Sequence, residues 1–254
     1  MNILLVTQDT PFYLAENLEY LLSELPEHSR VVACVLLRAS PFGKKRTAPG
    51  MMWRTFRTFG LGFFIRYGFR FALSHILPAR SVRHVLRQHG VPAVDLEKSI
   101  NSRKSREVIA GYRPDIIVSL QANVIFKKPL MELPPKGCLN VHTALLPKYR
   151  GLMPTFWVLK NDESVTGVSV FFMDEGIDSG PILVRRPIEI GDRSLDALIR
   201  DTKRVGVEAL LEAIELIHRD DYRLIPNDDR DMTYFSFPTR QDVKEFLSRG
   251  KRFF

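Results

Sequence analysis

Residues 2–37 read NILLVTQDTPFYLAENLEYLLSELPEHSRVVACVLL, and this stretch decides the fold. Its two apolar runs, at 2–6 and 30–37, are continuous, as is typical of strands that are covered on both faces in a parallel sheet. Between them, the leucines of segment 12–25 recur at helical spacing. A strand, a helix and a second strand in this order predict a doubly wound, Rossmann-like α/β domain with a mostly parallel sheet.

The rest of the chain continues the alternation of strands and helices and reaches a long amphipathic helix at 194–219. We expect one domain over residues 1–219, interrupted by a basic, aromatic helical insertion at 43–80, and a short C-terminal extension over 220–254. A chain of 254 residues with 45% hydrophobic content is long enough to bury such a core.

Several compositional features exclude other classes of protein. Cys34 and Cys138 both lie in apolar runs, and no cluster of Cys and His has metal-site spacing, so we predict no metal. The first apolar run has five residues and no cleavage site, which is not typical of a signal peptide. No segment has the roughly 18 uninterrupted apolar residues of a membrane span. We therefore expect a cytoplasmic protein.

The segment CLNVHTALLPKYRG (138–151) places two polar side chains at the end of an apolar strand. Asn140 and His142 are two residues apart, so they project from the same face of that strand. They lie at its carboxyl end, where open parallel sheets bind their ligands. A second loop, MDEGIDSGPIL (173–183), also follows a buried strand and carries Asp178 between two glycines.

An amide, an imidazole and a carboxylate at one edge of a sheet suit the attack of an amine on an activated carbonyl. Asn140 and a protonated His142 could donate hydrogen bonds to the oxyanion of the tetrahedral intermediate. Asp178 could orient the imidazole and help to remove the proton of the amine. Taken singly, a histidine in a strand is more often structural, and turns of this kind are common.

Taken together, NVHTALLPKYRG and DEGIDSG resemble the folate-dependent formyltransferase family, which includes methionyl-tRNA, glycinamide ribonucleotide and sugar-nucleotide N-formyltransferases. The family pattern is Asn-x-His, a Leu-Pro-x-Tyr/Trp-Arg-Gly loop and an aspartate, which follows here 38 residues after Asn140. The resemblance implies an enzyme of one-carbon transfer whose catalytic residues are Asn140, His142 and Asp178. It also implies that N10-formyltetrahydrofolate is the formyl donor.

The resemblance further implies that the pterin of the donor lies against two loops, at about 119–124 and 174–180. The first loop reads SLQANVI, which departs from the small Ala-Tyr-Gly-like sequences that are common there. The residues expected to bind the donor are Leu120, Gln121, Ala122, Asn123, Asp174, Glu175, Gly176, Ile177 and Gly180.

The sequence gives weaker indications of which amine is the acceptor. The first strand is followed by no glycine-rich phosphate loop, and the 35 residues after Arg219 are too few for the barrel domain with which methionyl-tRNA enzymes grip tRNA. We therefore expect tRNA to be an unlikely partner and a nucleotide- or lipid-linked amino sugar of cell-surface polysaccharide synthesis to be the acceptor. The alternatives are a methionyl-tRNA formyltransferase-like enzyme, a formyltetrahydrofolate hydrolase and a catalytically silent binding module. The oligomeric state is not predicted, and a homodimer is left as an open alternative.

The insertion accounts for the basic character of the chain. The net charge is +8, yet no Asp or Glu occurs from Arg38 to Val94, where eleven basic residues stand. Eight aromatic residues lie between Met51 and Leu77. Segment 43–78 therefore suits contact with an anionic membrane surface, with the protein peripheral at the inner face, or contact with a polyanionic substrate. An insertion packed into the core is an equal alternative.

Overall fold

The computed structural model describes residues 1–8, 13–37, 48–76, 81–122 and 124–254. Its strands are β1 Asn2–Gln8, β2 Arg30–Leu37, β3 Ala93–Val94, β4 Ile116–Ser119, β5 Cys138–His142, β6 Arg150–Gly151, β7 Val165–Phe172, β8 Ile182–Glu189 and β9 Tyr234–Phe235. Its helices are α1 Leu14–Ser23, α2 Ala48–Phe59, α3 Leu61–Ile76, α4 Val82–Gln88, α5 Arg103–Gly111, α6 Lys128–Met131, α7 Pro154–Lys160, α8 Leu195–Arg219 and α9 Arg240–Ser248.

Seven strands form the main sheet, in the order β3-β2-β1-β4-β5-β7-β8. The first five strands in this spatial order, β3, β2, β1, β4 and β5, run parallel to one another. Strand β7 is antiparallel to both of its neighbours, β5 and β8. The strand order reverses between β1 and β4, which opens a crevice at the carboxyl ends of these two strands. The predicted doubly wound α/β fold with a mostly parallel sheet is confirmed.

Helices cover both faces of this sheet, as the unbroken apolar strands predict. Ile3 and Leu5 of β1 pack in a cluster with residues of α1, α4 and α8 on one face. Leu4 and Val6 pack in a second cluster with residues of α5 and α6 on the other face. All four side chains are at most 1% exposed, so β1 is the centre of the core.

Helix α8 is the longest helix and lies against the sheet. It begins after Ser194, whose side chain accepts a hydrogen bond from Ala197 N, as in an N-cap. At Gly206 a Cβ atom would be 3.0 Å from Val141 Cγ1, so the absence of a side chain lets the helix approach β5 closely. The predicted helix at 194–219 is therefore present almost residue for residue.

The C-terminal segment packs on the body of the protein. Phe246 of α9 is fully buried and stacks on Phe156 of α7, with a distance of 5.0 Å between the ring centroids. Strand β9 pairs with β6 to form a second, two-stranded sheet beside the end of β5. The predicted boundary at 219 thus falls where the chain leaves α8 but stays in contact with the rest of the fold.

Helices α2 and α3 form a hairpin around Gly60, which has φ +84°. Phe59 is 8% exposed and contacts Phe237 and Phe253 of the C-terminal segment edge-on. One face of the predicted insertion therefore belongs to the core, whereas several apolar residues on its other side are exposed. Within the described parts of the chain, no helix has the length and apolar character needed to cross a membrane.

Candidate active site

Strand β5 carries the first two catalytic candidates to the carboxyl edge of the sheet. Asn140 is in register with Ser119 at the end of the neighbouring strand β4, and His142 is the last residue of β5. Their even spacing turns both side chains toward the same face of the sheet. His142 is 7% exposed and Asn140 is partly exposed, so the imidazole is buried and the amide is partly open to solvent.

The imidazole of His142 is held by two contacts. Its Nε2 atom lies 2.8 Å from the carbonyl oxygen of Tyr149, and because a carbonyl only accepts, Nε2 carries the proton. Its Nδ1 atom lies 3.6 Å from Oδ2 of Asp178. In the neutral ring Nδ1 therefore holds the lone pair, so it is the nitrogen that can take up a proton. A proton on Nδ1 would face the carboxylate of Asp178.

Asp178 reaches His142 by a route that differs from the predicted one. Strand β7 is antiparallel to β5 and ends with Phe172 opposite Leu139, at the start of β5. The loop after β7 must therefore run back along the face of β5 to bring Asp178 to His142. It does so through a left-handed residue, since Asp178 has φ +50°.

The carboxylate of Asp178 is fixed in place. Its Oδ2 atom accepts a hydrogen bond of 2.8 Å from the backbone N–H of Gly151. The side chain of Asn227 donates to the carbonyl oxygens of Asp178 and Gly180, at 2.9 Å in both cases. The segment after α8 thus holds the loop that carries Asp178, and this role of Asn227 has no signature in the sequence.

The loop that follows β5 is equally constrained. Tyr149 has φ +59° and Gly151 has φ +97°. A Cβ atom at Gly151 would be 2.3 Å from the carbonyl oxygen of Phe235 in β9, so only glycine fits. The hydroxyl of Tyr149 donates to Glu163 at 2.6 Å, and burial together with this carboxylate raises the pKa of Tyr149 to about 12. Tyr149 therefore stays protonated and acts as an anchor of the loop.

Arg150 points away from the reacting groups. It is 4% exposed, and its guanidinium donates to the Asp229 carboxylate at 2.7 Å and to the carbonyl and side-chain oxygens of Asn227. This arrangement ties the loop after β5 to the C-terminal segment. It agrees with a structural role for the arginine of the Tyr-Arg-Gly turn.

The amide of Asn140 is free for a ligand. No residue in the described part of the chain hydrogen-bonds this side chain, and it is partly open to solvent. It lies two residues before the fixed imidazole of His142, on the same face of β5. An amide N–H in this setting can donate to an oxyanion that forms beside the histidine.

The predicted donor loop after β4 is only partly as expected. The side chain of Leu120 packs in the core, so it can offer a ligand only its backbone. Gln121 has φ +59° and is partly exposed at the edge of the sheet, and Ala122 packs against the cluster behind it. Asn123 lies outside the described residues.

The second predicted donor loop is compact and open to solvent. Oδ1 of Asp174 accepts hydrogen bonds from Gly176 N at 3.0 Å and from Ser179 Oγ at 2.5 Å. A Cβ atom at Gly180 would be 1.8 Å from the carbonyl oxygen of Phe172, which explains the glycine. Glu175 and Ile177 are exposed. Roles for these residues in donor binding stay predictions.

Lys203 of α8 was not among the predicted site residues. Its ammonium group donates to the side-chain oxygen of Gln121 at 2.5 Å and lies 5.3 Å from the ring centroid of Tyr13. Among the described residues no carboxylate lies within 4.0 Å of this group. Burial of the ammonium group lowers the pKa of Lys203 to about 8. The one sequence signal was Gln121 itself, which replaces a small residue of the family pattern.

Two arginines stand next to Lys203 around Tyr13. Arg70 and Arg200 both form ion pairs with Asp196, and Arg70 also donates to the hydroxyl of Tyr13 at 3.0 Å. That hydroxyl in turn donates to Asp196. Burial and the hydrogen bond to Asp196 raise the pKa of Tyr13. Among the described residues around Tyr13, three cations face one carboxylate, so the described part of this end of the crevice is positively charged.

A family comparison identifies the kind of domain that carries this site. The family model described as formyl transferase matches residues 79–214, which is more than half of the chain and includes Asn140, His142 and Asp178. The chain belongs to the formyl transferase family. The resemblance predicted from the two motifs is confirmed, and so is the predicted class of folate-dependent formyl-transfer enzymes, at the level of the family.

Eight curated proteins that match this chain have the same name. The methionyl-tRNA formyltransferase of Kosmotoga olearia is 38% identical over 64% of this chain and 52% of its own length. That of Citrifermentans bemidjiense is 35% identical over 63% of this chain and 51% of its own length. The chain thus spans about half the length of the curated relatives it matches.

Solved structures show the same fold. Glycinamide ribonucleotide transformylase 1 of Symbiobacterium toebii superposes with a TM-score of 0.61 at 20% identity, covering 90% of this chain and 94% of its own. An N-formyltransferase of Helicobacter canadensis, solved with folinic acid and dTDP-3-aminofucose, gives a TM-score of 0.59 at 20% identity, covering 95% and 72%. Folinic acid is a formyl folate, in line with the donor that the family resemblance implies.

The relatives overturn two predictions about the acceptor. Eight curated relatives at 34–38% identity are all named methionyl-tRNA formyltransferase, which contradicts the preference for an amino sugar. The prediction that tRNA is an unlikely partner is wrong for the same reason. Both predictions relied on the 35 residues after Arg219, and the preference for an amino sugar relied also on the absence of a glycine-rich phosphate loop after the first strand.

The described residues of this site include no set of metal ligands. Within the described residues, no group of three or more His, Cys, Asp or Glu side chains is arranged to hold a metal.

Proposed function

We propose that this chain transfers the formyl group of N10-formyltetrahydrofolate to the amino group of methionyl-tRNA. The observation that carries the proposal is the arrangement at the end of β5. There the free amide of Asn140 stands beside a His142 imidazole whose Nδ1 atom lies 3.6 Å from the fixed carboxylate of Asp178. The name shared by the curated relatives supports methionyl-tRNA as the acceptor.

In the proposed reaction the amine nitrogen attacks the formyl carbon, and the carbonyl oxygen becomes an oxyanion. The amide of Asn140 donates a hydrogen bond to that oxyanion, which is the group whose charge develops in the transition state. Nδ1 of His142 takes the proton of the attacking amine, because Nε2 is already committed to the carbonyl of Tyr149. This assignment differs from the expectation that a protonated His142 donates to the oxyanion.

Asp178 stabilises the imidazolium that forms when His142 gains this proton. The distance of 3.6 Å is too long for a strong direct hydrogen bond and short enough for a charge interaction in a buried site. The intermediate then collapses, the bond from the formyl carbon to N10 of the folate breaks, and the proton held by His142 passes to N10. The products are the formylated amine and tetrahydrofolate.

The acceptor part of the proposal is supported by the charge of the crevice. Lys203, Arg200 and Arg70 surround Tyr13 at the edge of the sheet, and the two arginines share the carboxylate of Asp196. A polyphosphate such as tRNA would be attracted to a surface of this charge. The family model matches residues 79–214, the segment of this chain that contains Asn140, His142 and Asp178.

The test is an assay of formyl transfer from N10-formyltetrahydrofolate to methionyl-tRNA with the purified chain. We expect His142→Asn to lower the rate by about 10²–10⁴-fold, as for loss of a general base. Asn140→Ala should lower it by about 10²–10³-fold, as for loss of an oxyanion donor. His84→Asn, a change on the distant helix α4, is the matched control and should leave the rate unchanged.

Two further measurements separate the alternatives. Release of formate in the absence of any amine would indicate a formyltetrahydrofolate hydrolase instead. Titration with the stable analogue 5-formyltetrahydrofolate tests the donor site without an acceptor. If the chain binds this analogue but formylates no methionyl-tRNA, the proposed acceptor is wrong and the proposed donor is supported. If it neither binds the analogue nor turns over, the chain is a silent binding module.

A further inference from the structure

Helices α2 and α3 form a hairpin with one buried and one exposed face. On the buried side, Phe59 and Phe63 stack on each other, with ring centroids 4.7 Å apart. Phe63 also contacts Phe253 and Phe254 at the end of the chain, at 5.0 and 5.6 Å. Arg70 adds an ion pair with Asp196 of α8. The hairpin is therefore anchored to the body of the protein, and its outer face has a defined orientation.

The outer face of α3 carries an apolar stripe. Leu61, Ile65 and Phe69 follow one another at i, i+4 and i+8, so they lie on one side of the helix. Their exposed fractions are 61%, 61% and 69%. Helix α2 adds Met52 and Trp53, which are 57% and 63% exposed. Single exposed apolar residues are ordinary, but this hairpin exposes seven large ones, these five and two further aromatic residues of α3, and such a number indicates an interaction surface.

The polar residues around this stripe have one sign of charge. No Asp or Glu occurs between Arg38 and Val94, so both helices lack acidic side chains altogether. Arg57 and Arg66 are exposed on the two helices, and Arg66 lies over the ring of Phe254 with 4.4 Å to its centroid. The partner of this face must therefore accept aliphatic and aromatic side chains and also carry negative charge.

These two requirements select among the partners. Nucleic acid would take the arginines and stack on aromatic rings, but it offers no apolar phase to Leu61 and Ile65. A second copy of the chain would cover the stripe but would bring its own arginines against those of the first. The interface of an anionic bilayer offers acyl chains to the stripe and phosphate head groups to the arginines.

We propose that the α2–α3 hairpin docks this protein on the surface of an anionic lipid membrane. Leu61, Ile65, Phe69 and Trp53 enter the boundary between head groups and acyl chains, and Arg57 and Arg66 contact the phosphates. The hairpin lies on the surface and does not cross the bilayer. Because Arg70 ties α3 to Tyr13 and Asp196, docking also holds the positive end of the crevice next to the membrane.

The experiment is co-sedimentation of the full chain with lipid vesicles. Vesicles of phosphatidylcholine mixed with phosphatidylglycerol are compared with vesicles of phosphatidylcholine alone. We expect binding to the anionic vesicles that falls with added salt, and binding at least about tenfold weaker to the neutral ones. The chain has two tryptophans, and Trp157 is only 7% exposed, so a blue shift of fluorescence on binding would report Trp53.

A double variant tests the stripe itself. Ile65→Glu combined with Phe69→Glu changes two exposed side chains, and we expect it to weaken vesicle binding by about tenfold or more. Val108→Glu is the matched control, since Val108 is 41% exposed on α5, away from the hairpin, and this variant should bind as the wild type does. Melting temperatures of all variants show whether each one is folded.

Three results would overturn the proposal. The first is absence of binding to anionic vesicles at low salt by a folded wild-type chain. The second is equal binding by the double variant and the control. The third is a dimer, seen by analytical ultracentrifugation, that is lost in the double variant and buries Trp53 without lipid, which would assign the face to a second copy. None of these measurements uses a folate or an acceptor, so their outcome is independent of the proposed formyl transfer.

Discussion

Lys203 is expected to destabilise the folded protein at neutral pH, and replacing it with methionine should reveal this. Burial lowers its pKa from 10.5 to about 8. At about 1.36 kcal/mol per pKa unit, this difference corresponds to roughly 3 kcal/mol. The side chain is partly exposed, so solvent screening reduces the effect, and we expect about 1–2 kcal/mol. Lys203→Met also removes the hydrogen-bond donor to Gln121, and this loss lowers the expected gain in folding stability by about 1 kcal/mol.

The dependence on pH gives the clearest readout. Between about pH 8 and pH 10.5 the unfolded chain keeps the proton of Lys203 and the folded chain has lost it. The unfolded state then binds more protons, so this lysine makes the free energy of unfolding rise with pH. Below about pH 8 both states are protonated, and the full penalty is present. As the pH increases from about 7 to about 9.5, the free energy of unfolding of the wild type should therefore rise by about 1–2 kcal/mol relative to that of Lys203→Met.

The assay is urea unfolding of both proteins at several pH values over this range. Other titrating groups are common to both proteins and cancel in the difference. The same substitution at Lys244, which is exposed on α9, controls for the loss of a surface lysine. A difference between wild type and Lys203→Met that stays constant with pH would show that the ammonium group of Lys203 is well solvated. A variant that is much less stable at neutral pH would mean that the contacts of Lys203 outweigh its burial.

Three further predictions concern the site and the core. Asp178→Asn keeps an oxygen for the N–H of Gly151 but removes the charge beside His142, so formyl transfer should fall by about 100-fold while the melting temperature changes little. Gly151→Ala should lose about 2 kcal/mol or more in urea unfolding, because φ is +97° and the new Cβ would be 2.3 Å from the carbonyl of Phe235. Phe246→Ala should lower the free energy of unfolding by about 3–5 kcal/mol, since the ring is fully buried, and a loss below about 1 kcal/mol would contradict its place in the core.

The candidate site divides into a part that sequence reasoning reaches and a part that it does not. Asn140 and His142 could be placed on one face at the end of a strand because their spacing is local and the period of a strand is two. The family resemblance then added Asp178. The path by which Asp178 arrives was not predictable, since the direction of β7 relative to β5 is not encoded in the residues of either strand. The same holds for Lys203, whose contact with Gln121 joins residues 82 positions apart.

The sequence by itself determined the doubly wound order of strands and helices, the long helix at 194–219 and the shared face of Asn140 and His142, because periodicity and capping act between neighbours in the chain. Only the tertiary structure decided which groups meet at the site. It turned β7 antiparallel, so that the following loop covers β5, and it brought Asn227 from the C-terminal segment to hold that loop. It also divided the basic insertion into a buried and an exposed face. These outcomes depend on packing between segments far apart in sequence, which no local pattern records.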